Sequence, residues 1–192
     1  MTTSQDAVLE ALKDAGAILH GHFQLTSGRH SDTYVQCARV LEDPALTTEL
    51  AEAMAGSVSD RKIDLVAAPA VGGIIIGFAV AQALGVKFIF SERQNGVMTF
   101  RRSFTIDPGA RVLVVEDVVT TGGSVAEVID LVQAAGGEAV AVTSIIDRGG
   151  EKAFTAELLP LLRLEVESVE PGECPQCAAG TPIDSPGSRR LG

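Results

Sequence analysis

Four apolar residues, Val112, Leu113, Val114 and Val115, run directly into Glu116 and Asp117 and then into Val118-Val119-Thr120-Thr121-Gly122-Gly123-Ser124. A short, mostly β-branched run suits a strand covered on both faces, the usual state of a strand in a parallel sheet. Val125, Val128, Ile129 and Val132 follow at helical spacing. The unit is strand, acidic pair, hydroxyl-and-glycine loop, helix. A chain built on it needs helices for both faces of a sheet and puts the loop at the carboxyl end of a central strand.

The surrounding sequence supplies that frame. Residues 65–68 predict a strand, Pro69-Ala70-Val71-Gly72-Gly73 a tight loop, and 74–84 a helix buried almost all round. Further strands are expected over 86–90 and 139–146, with a helix over 125–135 closed by Gly136 and Gly137. The fold class is therefore α/β, a parallel sheet flanked by helices, with ligands at the carboxyl ends of its strands. Before it, Ser4 can cap a helix carrying Val8, Leu9, Leu12 and Ala15 and ended by Gly16. Short strands are expected over 18–25 and 33–37, joined by the polar loop Thr26-Ser27-Gly28-Arg29-His30-Ser31. Asp43 and Pro44 open a helix whose buried stripe is Leu46, Leu50, Met54 and Val58. Residues 161–169 alternate like a half-exposed strand. From Pro171 onward Gly, Pro, Ser and Cys dominate, so 1–170 reads as one domain and 171–192 as an extended tail without a core of its own.

Composition closes off several classes of function. Residues 65–81 are uncharged and apolar, close to the ~18 that suggest a membrane span, but Pro69 and the Gly72-Gly73 pair break them. Residues 1–13 show no basic n-region and no apolar h-region, so a soluble, cytoplasmic chain is expected. A net charge of -10 argues against nucleic acid as the main partner. An anionic substrate then needs local cations, and Lys87, Arg93, Arg101, Arg102 and Arg111 cluster in one segment. Cys174-Pro-Gln-Cys177 has the spacing of half a zinc site, but a closed site needs four ligands. Reduced, unliganded thiols are expected, with two such pairs across a dimer axis as the alternative.

The central loop dictates its ligand. Backbone N–H groups at a helix N-terminus, with the hydroxyls of Thr120, Thr121 and Ser124, favour phosphate oxygens. Glu116 and Asp117 would repel a bare polyphosphate, so they need hydroxyls to accept from or an intervening metal ion. A ribose 5-phosphate satisfies both ends. The sequence is neither the P-loop nor the dinucleotide fingerprint. An ordinary strand-to-helix turn with solvated acids is the bland alternative.

On those residues the chain resembles the type I phosphoribosyltransferases, whose phosphoribosyl pyrophosphate (PRPP) signature is similar to E-D-V-V-T-T-G-G-S. The resemblance implies Glu116 and Asp117 as catalytic carboxylates on the ribose hydroxyls, with PRPP also held by Val118, Val119, Thr120, Thr121, Gly122, Gly123 and Ser124. It implies that Ala70, Val71 and Gly72 hold pyrophosphate, although the two glycines there could equally serve helix–strand packing. It further implies Mg²⁺ carried mainly by PRPP near Glu116 and Asp117, and a small N-terminal hood at about 16–40 completed by the 161–169 strand.

His22-Phe23-Gln24-Leu25-Thr26-Ser27-Gly28, with Tyr34, resembles the hood of the orotate phosphoribosyltransferases. Arg148, after Ile145-Ile146-Asp147, resembles the position where that family pairs an arginine with the orotate carboxylate; the alternative is an ion pair with Asp147 or Glu151. Phe23 and Thr120 are the other implied base contacts. The chain departs from the best-known members in having His20 and Gly72 where they carry lysines. Its 91–102 mobile loop holds arginines in place of their lysines: Arg93 as a catalytic cation, Arg101 and Arg102 on PRPP. The S-E-R…M-T-F-R-R run and the C-P-x-C…P-G-S-R tail resemble a distinct branch. The family also implies a homodimer whose loop reaches the neighbouring site. The rivals are a phosphoribosyltransferase for purine or another base, and a non-catalytic PRPP-binding regulator.

Overall fold

The computed structural model describes residues 4–25 and 27–186. Helix α1 (Gln5–Asp14) begins where Ser4 Oγ accepts the Ala7 N–H at 3.2 Å, and it buries Val8 and Leu12. Strands β1 (Ile18–Gln24) and β2 (His30–Val35) pair antiparallel as a separate two-stranded sheet, the hood. One short turn, α2 (Ala38–Leu41), precedes α3 (Pro44–Gly56). There Asp43 Oδ1 accepts from the N–H groups of Ala45 and Leu46, with Pro44 at the first helical position.

The rest is a six-stranded sheet. It is built from β3 (Leu65–Pro69), α4 (Gly72–Leu84), β4 (Lys87–Gln94), β5 (Val97–Phe100), β6 (Arg111–Val119), α5 (Gly123–Ala134), β7 (Glu138–Asp147) and β8 (Leu158–Arg163), in the order β5-β4-β3-β6-β7-β8. All neighbours are parallel except β4 and β5. Chain order runs one way from β3 to β4 and the other way from β6 to β7. The carboxyl ends of β3 and β6 therefore form a switch point, where such sheets open a crevice. The apolar run of β6 splits by period two. Leu113 and Val115 join the core under α3 and α4, while Val112 and Val114 join the core under α5.

Five expectations change. β6 does not end at Val115 but continues to Val119, because Glu116, Val118 and Val119 still pair with Ser144, Ile146 and Asp147 of β7. The 91–102 segment is not an open loop but a hairpin: Asn95 and Gly96 both take positive φ, 53° and 83°, as a tight two-residue turn demands. The last strand starts at Leu158 and stops at Arg163; Pro160 is tolerated because β8 lies at the sheet edge. α4 is buried on one face only, and Val71, Ile75 and Phe78 stand exposed in a row on the other, Phe78 at 59%. The tail is not extended. A 3-10 turn (Pro171–Glu173) and α6 (Pro175–Ala178) fold it back, and the Gln24 N–H donates to the Asp184 carbonyl and the Asp184 N–H to the His22 carbonyl, both at 2.8 Å. No helix among the described residues is long and apolar enough to cross a membrane.

Candidate functional site

A cleft of about 530 Å³ opens at the switch point. Val71 and Gly72 line it after β3, Asp117, Val118, Thr120 and Thr121 at the end of β6, and Arg148 after β7. Leu25, Ser27, Tyr34 and Cys37 face them from the hood side, with Pro186 from the tail. A smaller cavity of about 50 Å³ adjoins it, lined by Glu116, Val118, Val119, Thr120, Thr121, Gly122, Gly123, Ser124 and Val125. The sequence-predicted signature thus forms one continuous surface.

The small cavity has the donors an anion would need. Gly122, the residue before α5, takes φ 75° and offers no side-chain cap, so the first N–H groups of the helix are left to a ligand. No other residue fits there: a Cβ on Gly122 would stand 2.3 Å from the Gly150 carbonyl oxygen. Thr120, Thr121 and Ser124 ring the cavity with hydroxyls.

The two acids play different parts. Asp117 lines the main cleft and its Oδ1 accepts the Val118 N–H at 2.8 Å. Glu116 is buried, lines the small cavity, and accepts the Asp117 N–H at 3.2 Å. Burial first, and then the neighbouring Asp117 carboxylate, push Glu116 well above the ordinary carboxylate range. Both carboxylates rest against the start of α4, where the helix dipole favours negative charge. That contact explains the paired glycines. A Cβ on Gly72 would meet Asp117 Oδ1 at 2.7 Å, and one on Gly73 would meet Ala68 Cβ at 3.0 Å. Close packing thus favours glycine at both positions, with Asp117 having to move for any side chain at 72, while Val71 and Gly72 also line the cleft. Ala70, joined to Val71 by a cis peptide, is not among the lining residues.

Across the cleft from Asp117 sits Arg148, part of whose guanidinium lacks a partner among the described residues. Arg148 Nε is buried and makes no hydrogen bond among the described residues. Asp147 does not pair with it. That carboxylate accepts from the N–H groups of Gly149 and Gly150 at 2.8 and 3.1 Å and from Arg163 Nη1 at 2.8 Å. Burial lowers the Arg148 pKa, and the Tyr34 phenol opposes that shift. Burial also raises the Tyr34 pKa, against the pull of Arg148. Tyr34 and Arg148 thus share one end of the cleft. Phe23 is not among the lining residues; it stacks behind Tyr34 with ring centroids 5.7 Å apart. Thr26 of the hood motif lies outside the described residues, as does the tail beyond Pro186.

The hairpin arginines are not brought to the cleft. Arg93 donates to the Gly96 carbonyl at 2.9 Å and pairs with Glu127. Arg101 and Arg102 pair with Glu92 at 3.6 and 3.3 Å. What sequence reasoning missed at the cleft is the run Val35, Gln36, Cys37 and Ala38 after Tyr34, and Pro186 of the tail. Cys37 is buried, and burial holds its thiol well above its ordinary pKa, which favours the neutral thiol as part of the wall.

Known proteins are similar to this chain. The phosphoribosyl transferase domain model matches residues 37–157. An orotate phosphoribosyltransferase of Chlorobium phaeobacteroides (strain BS1) is 52% identical over 98% of this chain and 98% of its own. One from Desulforamulus reducens is 46% identical over 98% and 99%. Among solved structures, the orotate phosphoribosyltransferase from Aeropyrum pernix superposes with a TM-score of 0.71 at 26% identity, covering 82% of this chain and 93% of that one. A near-complete match in sequence, joined to a type I sheet with the signature loop at its switch point, places this chain in the orotate phosphoribosyltransferase family.

Proposed function

We propose that this cleft transfers ribose 5-phosphate from PRPP to orotate, giving orotidine 5′-monophosphate and pyrophosphate, a step of pyrimidine biosynthesis. The observation that carries the base assignment is Arg148, a half-buried side chain that lines the cleft and whose buried Nε has no hydrogen-bond partner among the described residues. A planar carboxylate on the incoming base would satisfy it bidentately. A purine offers no such group.

The loop at 120–124 takes the 5-phosphate through N–H and hydroxyl donors. Asp117 accepts from the ribose hydroxyls beside it, with Glu116 behind. As the base nitrogen approaches C1, the C1–oxygen bond to pyrophosphate breaks and its electron pair leaves with pyrophosphate. The positive charge that develops on the ribose ring lies against a carboxylate held in place before the reaction. The oxygen-only donors of Glu116 and Asp117 suit Mg²⁺, which when bound with PRPP would neutralise pyrophosphate charge.

Arg93, Arg101 and Arg102 must exchange Glu127 and Glu92 for the departing anion, or serve the site of a neighbouring copy. Solvent-accessible ion pairs such as Arg93–Glu127 are worth only about 0–1 kcal/mol, so that exchange costs little, whereas Glu92, its side chain only 22% exposed, is more deeply set. The exposed row Val71, Ile75 and Phe78 on α4 supports a homodimer, and sedimentation of the wild-type chain tests it.

The two ends of the cleft separate experimentally. Arg148→Ala is expected to cost about 2–5 kcal/mol in orotate turnover, by analogy with truncated buried charge pairs, with PRPP affinity near normal. Asp117→Asn should lower PRPP affinity and turnover together. Calorimetry with PRPP and Mg²⁺, beside an assay of orotate, uracil and adenine consumption, reads both. Wild-type preference for adenine, or an Arg148→Ala variant with unchanged orotate kinetics, overturns the base assignment.

A further inference from the structure

Four side chains of metal-ligating type meet at the hood, and none lines the cleft. They are His22 of β1, His30 of β2, and Cys174 and Cys177 flanking and within α6. We propose that these four residues form a closed Cys₂His₂ zinc site that staples the tail to the hood.

The geometry fits the ion. Zinc bonds of about 2.0–2.1 Å to nitrogen and 2.3 Å to sulfur, arranged tetrahedrally, set donor separations of roughly 3.3 Å for N–N, 3.5 Å for N–S and 3.8 Å for S–S. Here His22 Nε2 and His30 Nδ1 are 3.2 Å apart. His22 Nε2 lies 3.4 Å from Cys174 Sγ and 3.6 Å from Cys177 Sγ, and His30 Nδ1 lies 3.3 Å from Cys177 Sγ. All donor atoms fall within 4.8 Å of one another.

The surroundings fit as well. His22 Nδ1 is 2.9 Å from the Thr181 carbonyl oxygen, which can only accept, so the ring carries its proton there and turns a lone pair on Nε2 toward the other three groups. A carbonyl holding the far nitrogen of a ligating histidine is the usual outer support of a zinc site. His22, His30 and Cys174 are buried, and Cys177 alone is exposed. Four protein ligands leave no open position, which marks a structural site and not a catalytic one. Soft sulfur with imidazole selects zinc over Mg²⁺.

The site also has work to do. The Gln176 side chain donates to the Gly21 carbonyl at 3.0 Å, Asp184 pairs with β1 on both sides of Phe23, and Pro186 then reaches the cleft. Fixing α6 on β1 and β2 therefore positions the segment that completes the hood side of the cleft. Binding would release the thiol protons to solvent, so affinity should fall in acid.

The test uses the full chain, made without a histidine tag and purified without chelator. Elemental analysis should find about one zinc per chain. After the metal is stripped, added Co²⁺ should give the intense visible bands of tetrahedral cobalt with sulfur-to-metal charge transfer. Cys177→Ser, at the exposed ligand, should lose the bound zinc and lower Tm, and chelator should lower wild-type Tm but not that of the variant. Protein that holds no zinc as purified, and whose stripped form neither binds Zn²⁺ in competition with a chromophoric chelator nor develops the cobalt bands, overturns the proposal. So does a Cys174–Cys177 disulfide in the natively purified chain.

Discussion

Around β6, the four residues 112–115 are fully buried, and each has an apolar neighbour on its own face of the sheet. At the tip of the hood the buried residues are His22, Phe23, His30 and Ser31, and Phe23 belongs to neither apolar core. The two sides of one cleft are thus held by different forces. The sheet side is fixed by non-directional apolar burial and a parallel ladder, so it is formed before any ligand arrives. The hood side is fixed by directional contacts: His30 exchanges backbone hydrogen bonds with Val169, Ser31 Oγ donates to the Glu167 carbonyl at 2.7 Å, and the donor atoms of His22, His30, Cys174 and Cys177 face one another. Losing one partner on the sheet side weakens the whole fold, whereas losing one on the hood side loosens a locality.

The largest expected effect tests that contrast directly. Leu113→Ala should cost about 2–5 kcal/mol of global stability, because the side chain is fully buried in the main apolar core. Phe23→Ala, although it removes a larger side chain, should cost less and should chiefly disturb Tyr34 and the base end of the cleft. Urea unfolding of both variants, with amide hydrogen exchange to locate the loss, makes the comparison. Equal costs spread over the same amides would erase the distinction between the two sides.

A second effect, smaller and dependent on pH, sits on the sheet side. The folded pKa of Glu116 lies above its unfolded value, so between the two the native state holds a proton that the unfolded chain has lost. Stability therefore falls as pH rises through that window, and the penalty is absent below the unfolded value of about 4.3. Glu116→Gln should melt higher than wild type near neutral pH, and the gap should close toward about pH 4, while turnover falls. Melting curves across that range decide it; a gap that widens in acid has the wrong sign.

The same contrast explains what the sequence made legible. β6, its loop and α5 could be read directly because period, β-branching and glycine all act within a dozen neighbouring residues. Arg148 was legible through its place after a strand, and its freedom from Asp147 follows from Arg163, which lies across a strand pair and invisible to local pattern. The hairpin was marked by Asn95-Gly96, but the charged residues around it masked the strands. The Cys174–Cys177 pair was legible as half a site. Its other half was not, because His22 sits where the β1–β2 register slips between His20 and Phe23, and only that slip and the returning tail bring the four donors together.

The smallest effect concerns how the hood is tied to the chain that follows β8. Arg29 donates from Nε to Ser168 Oγ at 2.9 Å and from Nη2 to the Ser168 carbonyl, and pairs through Nη1 with Glu170. The Glu170 side chain is 61% exposed, so this ion pair should contribute only about 0–1 kcal/mol and should be screened by salt. Glu170→Gln is then expected to shift Tm by no more than about 2–4 °C, the span that one kcal/mol covers in a chain of this size. Arg29→Ala should cost more, because it also strips two directional bonds from partly buried partners, each worth about 0.5–1.5 kcal/mol. Thermal melts of both variants at low and high ionic strength separate the contributions. Directional holding predicts an Arg29→Ala deficit that survives in salt and a Glu170→Gln deficit that disappears. If the two deficits are equal and both vanish in salt, the hood is held by diffuse charge attraction, and the distinction drawn between the two sides of the cleft fails at its weakest joint.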